Sequence, residues 1–276
     1  MRTLDGKVVV ITGAGSGIGR ALALDMAGRG AVLALSDWDE VGLVETGRLV
    51  ALRTPVEART DKLDVRDRTA MHEYAASVAT ELGRVDVVVN NAGVTLHGNF
   101  EDVAYEDFDW VLDVDLGGVV NASKEFLPHL IVSGDGHLVN MSSLFGLIGM
   151  PGQTAYNAAK FAVRGFTEAL REEMLVAGHP VAVTCVHPGG VKTNIVRNAR
   201  TTASEEKDAV VRLFDERLAI TTPEKAAAAI VAGVLAGKPR VVIGRDAKRL
   251  DAAVRLVGPR YQRWVALAAR RVGRPT

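Results

Sequence analysis

The chain has 276 residues, 33 basic against 33 acidic side chains and no formal net charge, with 48% hydrophobic and 24% charged residues. That mix excludes a disordered chain, and the even charge argues against a general nucleic-acid binder. The single cysteine, Cys185, excludes an intramolecular disulfide and a cysteine-rich zinc site.

Short apolar runs alternate with longer segments of helical period. The expected strands are Lys7–Thr12, Ala31–Ser36, Val56–Lys62, Val85–Asn90, His137–Ser142, Val181–His187 and Arg240–Ile243. Between them, helices are expected at about 17–29, 39–53, 67–82, 105–132, 153–178 and 222–237. This rhythm predicts an α/β fold, a single doubly wound parallel sheet of about seven strands with helices on both faces. Ligands of such sheets bind beyond the carboxyl ends of the strands, so functional residues are expected just after each run.

Two stretches break the rhythm. Residues 193–221 are polar and charged and are read as a substrate lid. From Lys238 onward eleven Lys/Arg face two Asp, with Leu250, Val254, Leu256, Trp264 and Leu267 interleaved. The organisation expected is therefore a catalytic domain over 1–245 and a basic amphipathic extension over 246–276. Docking of that extension on its own domain or a partner subunit is favoured over contact with an anionic membrane. The N-terminus lacks the apolar core of a signal peptide. Residues 138–159 are uncharged but too polar and glycine-rich to span a bilayer, so a soluble, cytoplasmic protein is expected.

The first strand runs into Thr12-Gly13-Ala14-Gly15-Ser16-Gly17-Ile18-Gly19, followed at once by a helical pattern. Glycines at a strand-to-helix turn let the backbone approach a pyrophosphate, which the free N–H groups of the helix then bind. The spacing differs from the generic dinucleotide fingerprint. Asp37 ends the second strand, where a carboxylate can accept both ribose hydroxyls and would repel a 2′-phosphate. No Lys or Arg occupies Ala14, Gly15 or Ser16, so NAD is favoured over NADP.

Tyr156 and Lys160 stand four residues apart in a predicted helix and share one face. A neighbouring ammonium favours phenolate, so this tyrosine can exchange a proton with an alcohol or carbonyl. Ser143, thirteen residues upstream at a strand end, can hydrogen-bond the same substrate oxygen. Strand alternation lets only one of Ser142 and Ser143 face the site. The six histidines are scattered without the pairing of metal ligands, and no metal is expected.

With these motifs together, the sequence resembles the short-chain dehydrogenase/reductase family over nearly its whole length. The matching segments are Thr12-Gly13-x3-Gly17-x-Gly19, Asp64-Val65, Asn90-Asn91-Ala92-Gly93, Ser143, Tyr156-x3-Lys160 and Pro188-Gly189-x-Val191-x-Thr193. The resemblance implies a Rossmann-like fold and a cofactor site that includes Ser16 and Ile18 in the turn. It implies that Asp64 and Val65 bracket the adenine, that Asn91, Ala92 and Gly93 steady the sheet beside the cofactor, and that Pro188 to Thr193 hold the nicotinamide amide. It further implies that Tyr156 is the acid/base, that Ser143 orients the substrate oxygen, and that Lys160 lowers the tyrosine pKa and holds the nicotinamide ribose. A dimer or tetramer through the helices at 105–132 and 153–178 is also implied.

One position departs from the family. Asp115 stands where an Asn that holds a proton-relay water is usual, and its charge near Lys160 can alter the pH at which Tyr156 works. Asn121 is a poor substitute, because helical geometry turns it away. Leu96, His97, Leu144, Leu147 and Met150 suggest an apolar substrate pocket, although core packing accounts for them almost as well. The reading is an oxidoreductase passing a hydride between NAD(H) and a secondary alcohol or ketone. Its alternatives are an NADP-dependent keto-acyl reductase, a sugar-nucleotide epimerase, and a non-catalytic NAD-binding regulator.

Overall fold

The β-branched run Val8–Thr12 is buried along its whole length, as befits a parallel strand covered on both faces. In the computed structural model, which describes residues 1–55 and 58–272, this run is β1. Then follow α1 (Gly17–Ala27), β2 (Val32–Asp37), α2 (Glu40–Ala51), β3 (Arg59–Lys62), α3 (Arg68–Leu82), β4 (Val87–Asn90) and β5 (Leu96–His97). The chain continues through α4 (Tyr105–Leu112), α5 (Gly118–Val132), β6 (Gly136–Met141), α6 (Thr154–Ala177), β7 (Val181–Pro188) and β8 (Arg200–Thr201). It ends with α7 (Lys207–Leu213), α8 (Pro223–Leu235), β9 (Arg240–Ile243), α9 (Arg245–Val257) and α10 (Tyr261–Val272). The expected strand at 56–62 is seen from Arg59, its first two residues lying outside the described ones, as do residues 273–276 of the extension.

Seven strands form one sheet in the order β3-β2-β1-β4-β6-β7-β9, every pairing parallel. Alternation divides the core between the two faces. Val9 and Ile11 point to one side with Leu33, Leu35 and the α8 residues Ile230 and Val234, while Val10 points to the other with Met71, Phe126, Leu130 and Leu170. Strand order reverses between β1 and β4, so the loops after these two strands open a crevice at the sheet's carboxyl edge.

Where one helix was expected over 105–132, α4 and α5 are joined by a π-helical turn, Asp113–Gly117. Such turns insert an extra residue and re-aim side chains, often at functional sites. Here the turn carries Asp115, which is fully buried.

The stretch read as a lid is anchored. Its strand β8 pairs with β5, Arg200 forms an ion pair with Asp107 at 2.7 Å, and its guanidinium lies 3.9 Å from the centre of the Trp110 ring. The basic extension begins with α9, whose Ala247 is buried against Leu144, Leu147 and Ile148, with Val254 and Tyr261 packed alongside. Trp264 and Leu267 on α10 are exposed. Among the described residues, no helix is long and apolar enough to cross a membrane.

Candidate active site

The crevice is floored by the glycine turn. Gly13 has φ +65°, and a Cβ there would stand 2.7 Å from Ala92 Cα, so the loops after β1 and β4 touch backbone to backbone. A Cβ at Gly19 would lie 2.1 Å from Gly13 O, which only glycine avoids. Thr12 Oγ1 accepts from the N–H groups of Asn91 and Ala92, both at 3.1 Å. The Asn91 amide donates to Thr12 O and Gly13 O at 3.1 and 2.9 Å. Ser16 precedes α1 in an extended conformation without capping the helix through its side chain, Gly17 opens the helix, and Ile18 packs on the core. The turn thus aims a helix N-terminus into the crevice beneath a close-approach backbone, a cradle that fits the pyrophosphate of a dinucleotide.

Asp37 ends β2 beside this cradle. Its Oδ2 accepts the Gly15 N–H at 2.7 Å and its Oδ1 the Asp39 N–H at 2.8 Å. The carboxylate is therefore fixed in orientation with acceptor capacity remaining. Asp39, not Asp37, caps α2 through Gly42.

Across the crevice, α6 carries Tyr156 and Lys160 one turn apart, and the Lys160 Nζ lies 5.4 Å from the centre of the Tyr156 ring. Lys160 Nζ donates to Met141 O at 3.1 Å and pairs with Asp115 Oδ2 at 3.0 Å. The Val94 N–H donates to the other oxygen of Asp115 at 2.7 Å. The two serines part company: Ser142 donates to Lys160 O at 2.8 Å, pinning β6 to α6, whereas the Ser143 hydroxyl accepts from the Phe145 N–H at 3.1 Å and lies on the Tyr156 side, where it favours the phenolate. Phe145 packs edge-on against the Tyr156 ring at 6.1 Å.

Burial raises the pKa of Tyr156 while Lys160 lowers it, Asp115 raises it and Ser143 lowers it, leaving it above the ordinary phenol value. Burial works against the charge of Lys160, yet Asp115 and Tyr156 outweigh it and the ammonium is held more firmly than usual. Burial likewise lifts Asp115 above the usual carboxylate range, with Lys160 opposing.

The other candidates fall in different environments. Gly93 directly precedes the Val94 amide that holds Asp115. Asp64 is paired with Arg66 at 2.6 Å at the crevice rim, and Val65 is buried, its carbonyl accepting from Asn121 at 3.0 Å. Asn121 is thus committed away from Lys160. Pro188 ends β7, Gly189 donates to Ile243 O at 2.9 Å, Val191 is buried, and Thr193 lines a cleft with Gly17 and Lys192. Leu96 is buried with Val111 and Ala159, and Leu144 and Leu147 are buried under α9, whereas His97 and Met150 are half-buried. Cys185 is buried and its thiol pushed up to about 12, an inert group.

Four contributors escaped sequence reasoning. Arg20 donates to Gly15 O, to Gly42 O at 3.0 Å and to Thr46 Oγ1 at 2.9 Å, tying the glycine turn to α2. Asn157 donates to Phe145 O and Ile148 O at 2.6 and 2.7 Å and accepts from Met150 N at 2.9 Å, holding the loop after Ser143. Tyr261 of α10 accepts from Gly149 N in the same loop at 2.9 Å, and Asp246 of α9 accepts from Gly190 N at 3.2 Å. Asn157 could have been noticed as a polar residue beside Tyr156, but Gly42 and Thr46 for Arg20, Gly190 for Asp246 and Gly149 for Tyr261 lie too far along the chain to leave a local signal.

A family model described as short chain dehydrogenase matches residues 7–204. SadH of Mycobacterium tuberculosis, provisionally named an oxidoreductase, is 55% identical over 266 residues, 96% of each chain. A 3-oxoacyl-[acyl-carrier-protein] reductase, FabG of Thermotoga maritima, is 37% identical over 204 residues, 73% of this chain and 81% of that one. Among solved structures, a short chain dehydrogenase/reductase from Burkholderia phymatum in complex with NAD superposes with a TM-score of 0.83 at 29% identity, covering 88% of this chain and 90% of that one.

Proposed function

This chain belongs to the short-chain dehydrogenase/reductase family, oxidoreductases of CH–OH and C=O groups that use NAD(P), and from that premise we propose that it interconverts a secondary alcohol and a ketone with NAD(H). The observation that carries the proposal is the meeting of Ser143, Tyr156 and Lys160 beside the glycine cradle. A dinucleotide seated there would supply or take up the hydride. The cradle residues Gly13 to Gly19 would hold its pyrophosphate and Asp37 its adenosine ribose, with Asp64, Val65, Asn91, Ala92 and Gly93 along the adenine side and Pro188 to Thr193 at the nicotinamide end.

The protein's own part is positioning and proton transfer. Ser143 offers a hydroxyl to the substrate oxygen and a second bond to the phenol. Tyr156 gives its proton to that oxygen during reduction and recovers one during oxidation. Lys160, held by Met141 O and Asp115, keeps a positive charge beside the phenol at either stage. Phe145 and Met150 make the neighbouring wall apolar, which supports a fairly apolar small substrate. Phe161, 41% exposed on α6, supports assembly of copies through that helix.

Arg20 supports a second reading, an NADP-dependent keto-acyl reductase, because its guanidinium lies at the edge of the cradle. Its Nε and one of its two terminal nitrogens are engaged by two carbonyls and a hydroxyl, and Asp37 opposes a 2′-phosphate, so NAD is preferred. The test is titration with NADH and NADPH by nicotinamide fluorescence, then turnover of a panel of ketones and secondary alcohols. NADH binding at least about tenfold tighter, or about 1.4 kcal/mol, is expected, and tighter NADPH binding would reverse the assignment of Asp37.

A further inference from the structure

The buried carboxylate of Asp115 lies at 3.0 Å from an equally buried ammonium, Lys160, which in turn stands over the ring of Tyr156. The groups that face this row can be named element by element. Tyr156 and Lys160 come from α6, the neutral Cys185 thiol from β7, and the uncharged Met141 carbonyl and Ser143 hydroxyl from the end of β6 and the loop beyond. The Val94 amide comes from the segment after β4. Asp115 is thus the one anionic side chain in the row, and the π-helical turn is what brings it there.

A carboxamide in the same place would leave Lys160 as a lone cation beside the phenol. A carboxylate pairs that cation off, so the phenol faces a nearly neutral ion pair and gains less from ionising. We propose that Asp115 is a positioning residue that fixes the Lys160 ammonium and keeps Tyr156 protonated to a higher pH than a neutral side chain would. The inference rests on the reading of Tyr156 as the acid/base.

Its consequence is directional. In carbonyl reduction the phenol O–H bond breaks and its proton passes to the substrate oxygen, while the hydride for the carbonyl carbon is what a bound reduced nicotinamide would supply. In alcohol oxidation the phenolate takes the hydroxyl proton, and a bound oxidised nicotinamide would take up the hydride that leaves the carbinol carbon. A phenol that stays protonated sustains reduction well above neutral pH and moves the rise of oxidation to more alkaline pH.

The experiment compares the full-length protein with Asp115→Asn, and with Asp115→Ser should Asn fail to fold. Tyrosinate absorbance is titrated without cofactor, with Tyr156→Phe subtracted to isolate the one phenol, and pH profiles of kcat/KM are recorded in both directions. The expected result is that the Tyr156 ionisation and both kinetic inflections move to lower pH by about one unit or more. A folded variant that loses rate equally at all pH values, with tyrosinate titration unmoved, would show a purely structural role and overturn the inference. If Tyr156→Phe keeps full turnover, the acid/base reading fails and takes this inference with it.

Discussion

His187 Nδ1 donates to the carbonyl oxygen of Ser143 at 2.9 Å. A carbonyl can only accept, so this fully buried imidazole carries a proton on Nδ1, and burial, which pushes its pKa down to about 4, keeps the ring neutral near neutral pH. His137, bonded through Nε2 to Thr184 Oγ1 at 2.7 Å, is likewise pushed down to about 4 by burial. The backbone of Ser143 therefore rests on a side chain that burial keeps uncharged.

Acid should loosen the fold through these two groups. In the unfolded chain they protonate near pH ~6.5, in the fold only near 4, so the unfolded state binds more protons between those values. Stability is accordingly present above about pH 6.5 and falls as pH drops toward 4, by up to about 3 kcal/mol for each histidine. Urea unfolding across that range checks this. His187→Asn, which keeps the donor without the titration, should show about half the loss of the wild type. An unchanged slope would remove His187 from the account.

Arg200 holds the 193–221 segment down through Trp110 and Asp107. The stacking contact is worth about 1 kcal/mol and the half-exposed ion pair less. Arg200→Ala should speed limited proteolysis of the segment severalfold and raise KM more than it lowers kcat. Proteolysis at the wild-type rate would mean that pairing of β5 with β8 alone suffices.

Asn157 makes three hydrogen bonds to the loop that follows Ser143. At about 1 kcal/mol each, their loss in Asn157→Ala should raise substrate KM at least tenfold while NADH affinity stays within about twofold. Equal losses of both affinities would mean that the whole crevice, rather than the substrate side, depends on this residue.

Asp37→Ser should weaken NADH and relieve the repulsion of NADPH, moving the affinity ratio by at least about tenfold. The ratio is the useful quantity, because Asp37 also supports the Gly15 amide and its loss affects both cofactors through the turn. An unmoved ratio would place the discrimination elsewhere, with Arg20 the first residue to examine.

Much of this was legible in the sequence because it is local. The alternating runs announced the parallel sheet, and Tyr156 and Lys160 declared themselves by sharing one helical face, as i, i+4 spacing requires. Ser143 followed from its place just past a strand. The π-helical turn was not legible, since an apolar period over 105–132 reads as an unbroken helix and one inserted residue changes it little. That turn decides where Asp115 points. Nor were the links from the carboxyl-terminal helices, where Tyr261 reaches Gly149 over 112 positions and Asp246 reaches Gly190 over 56, because long-range contacts leave no periodic trace.

The most direct measurement is turnover by Tyr156→Phe alongside NADH binding by the same protein. Removing only the phenolic oxygen leaves the ring packed against Phe145 and the glycine cradle intact. The account predicts that kcat falls by about a hundredfold or more while NADH affinity stays within about threefold. Retained turnover would contradict proton transfer by Tyr156, and with it the central claim.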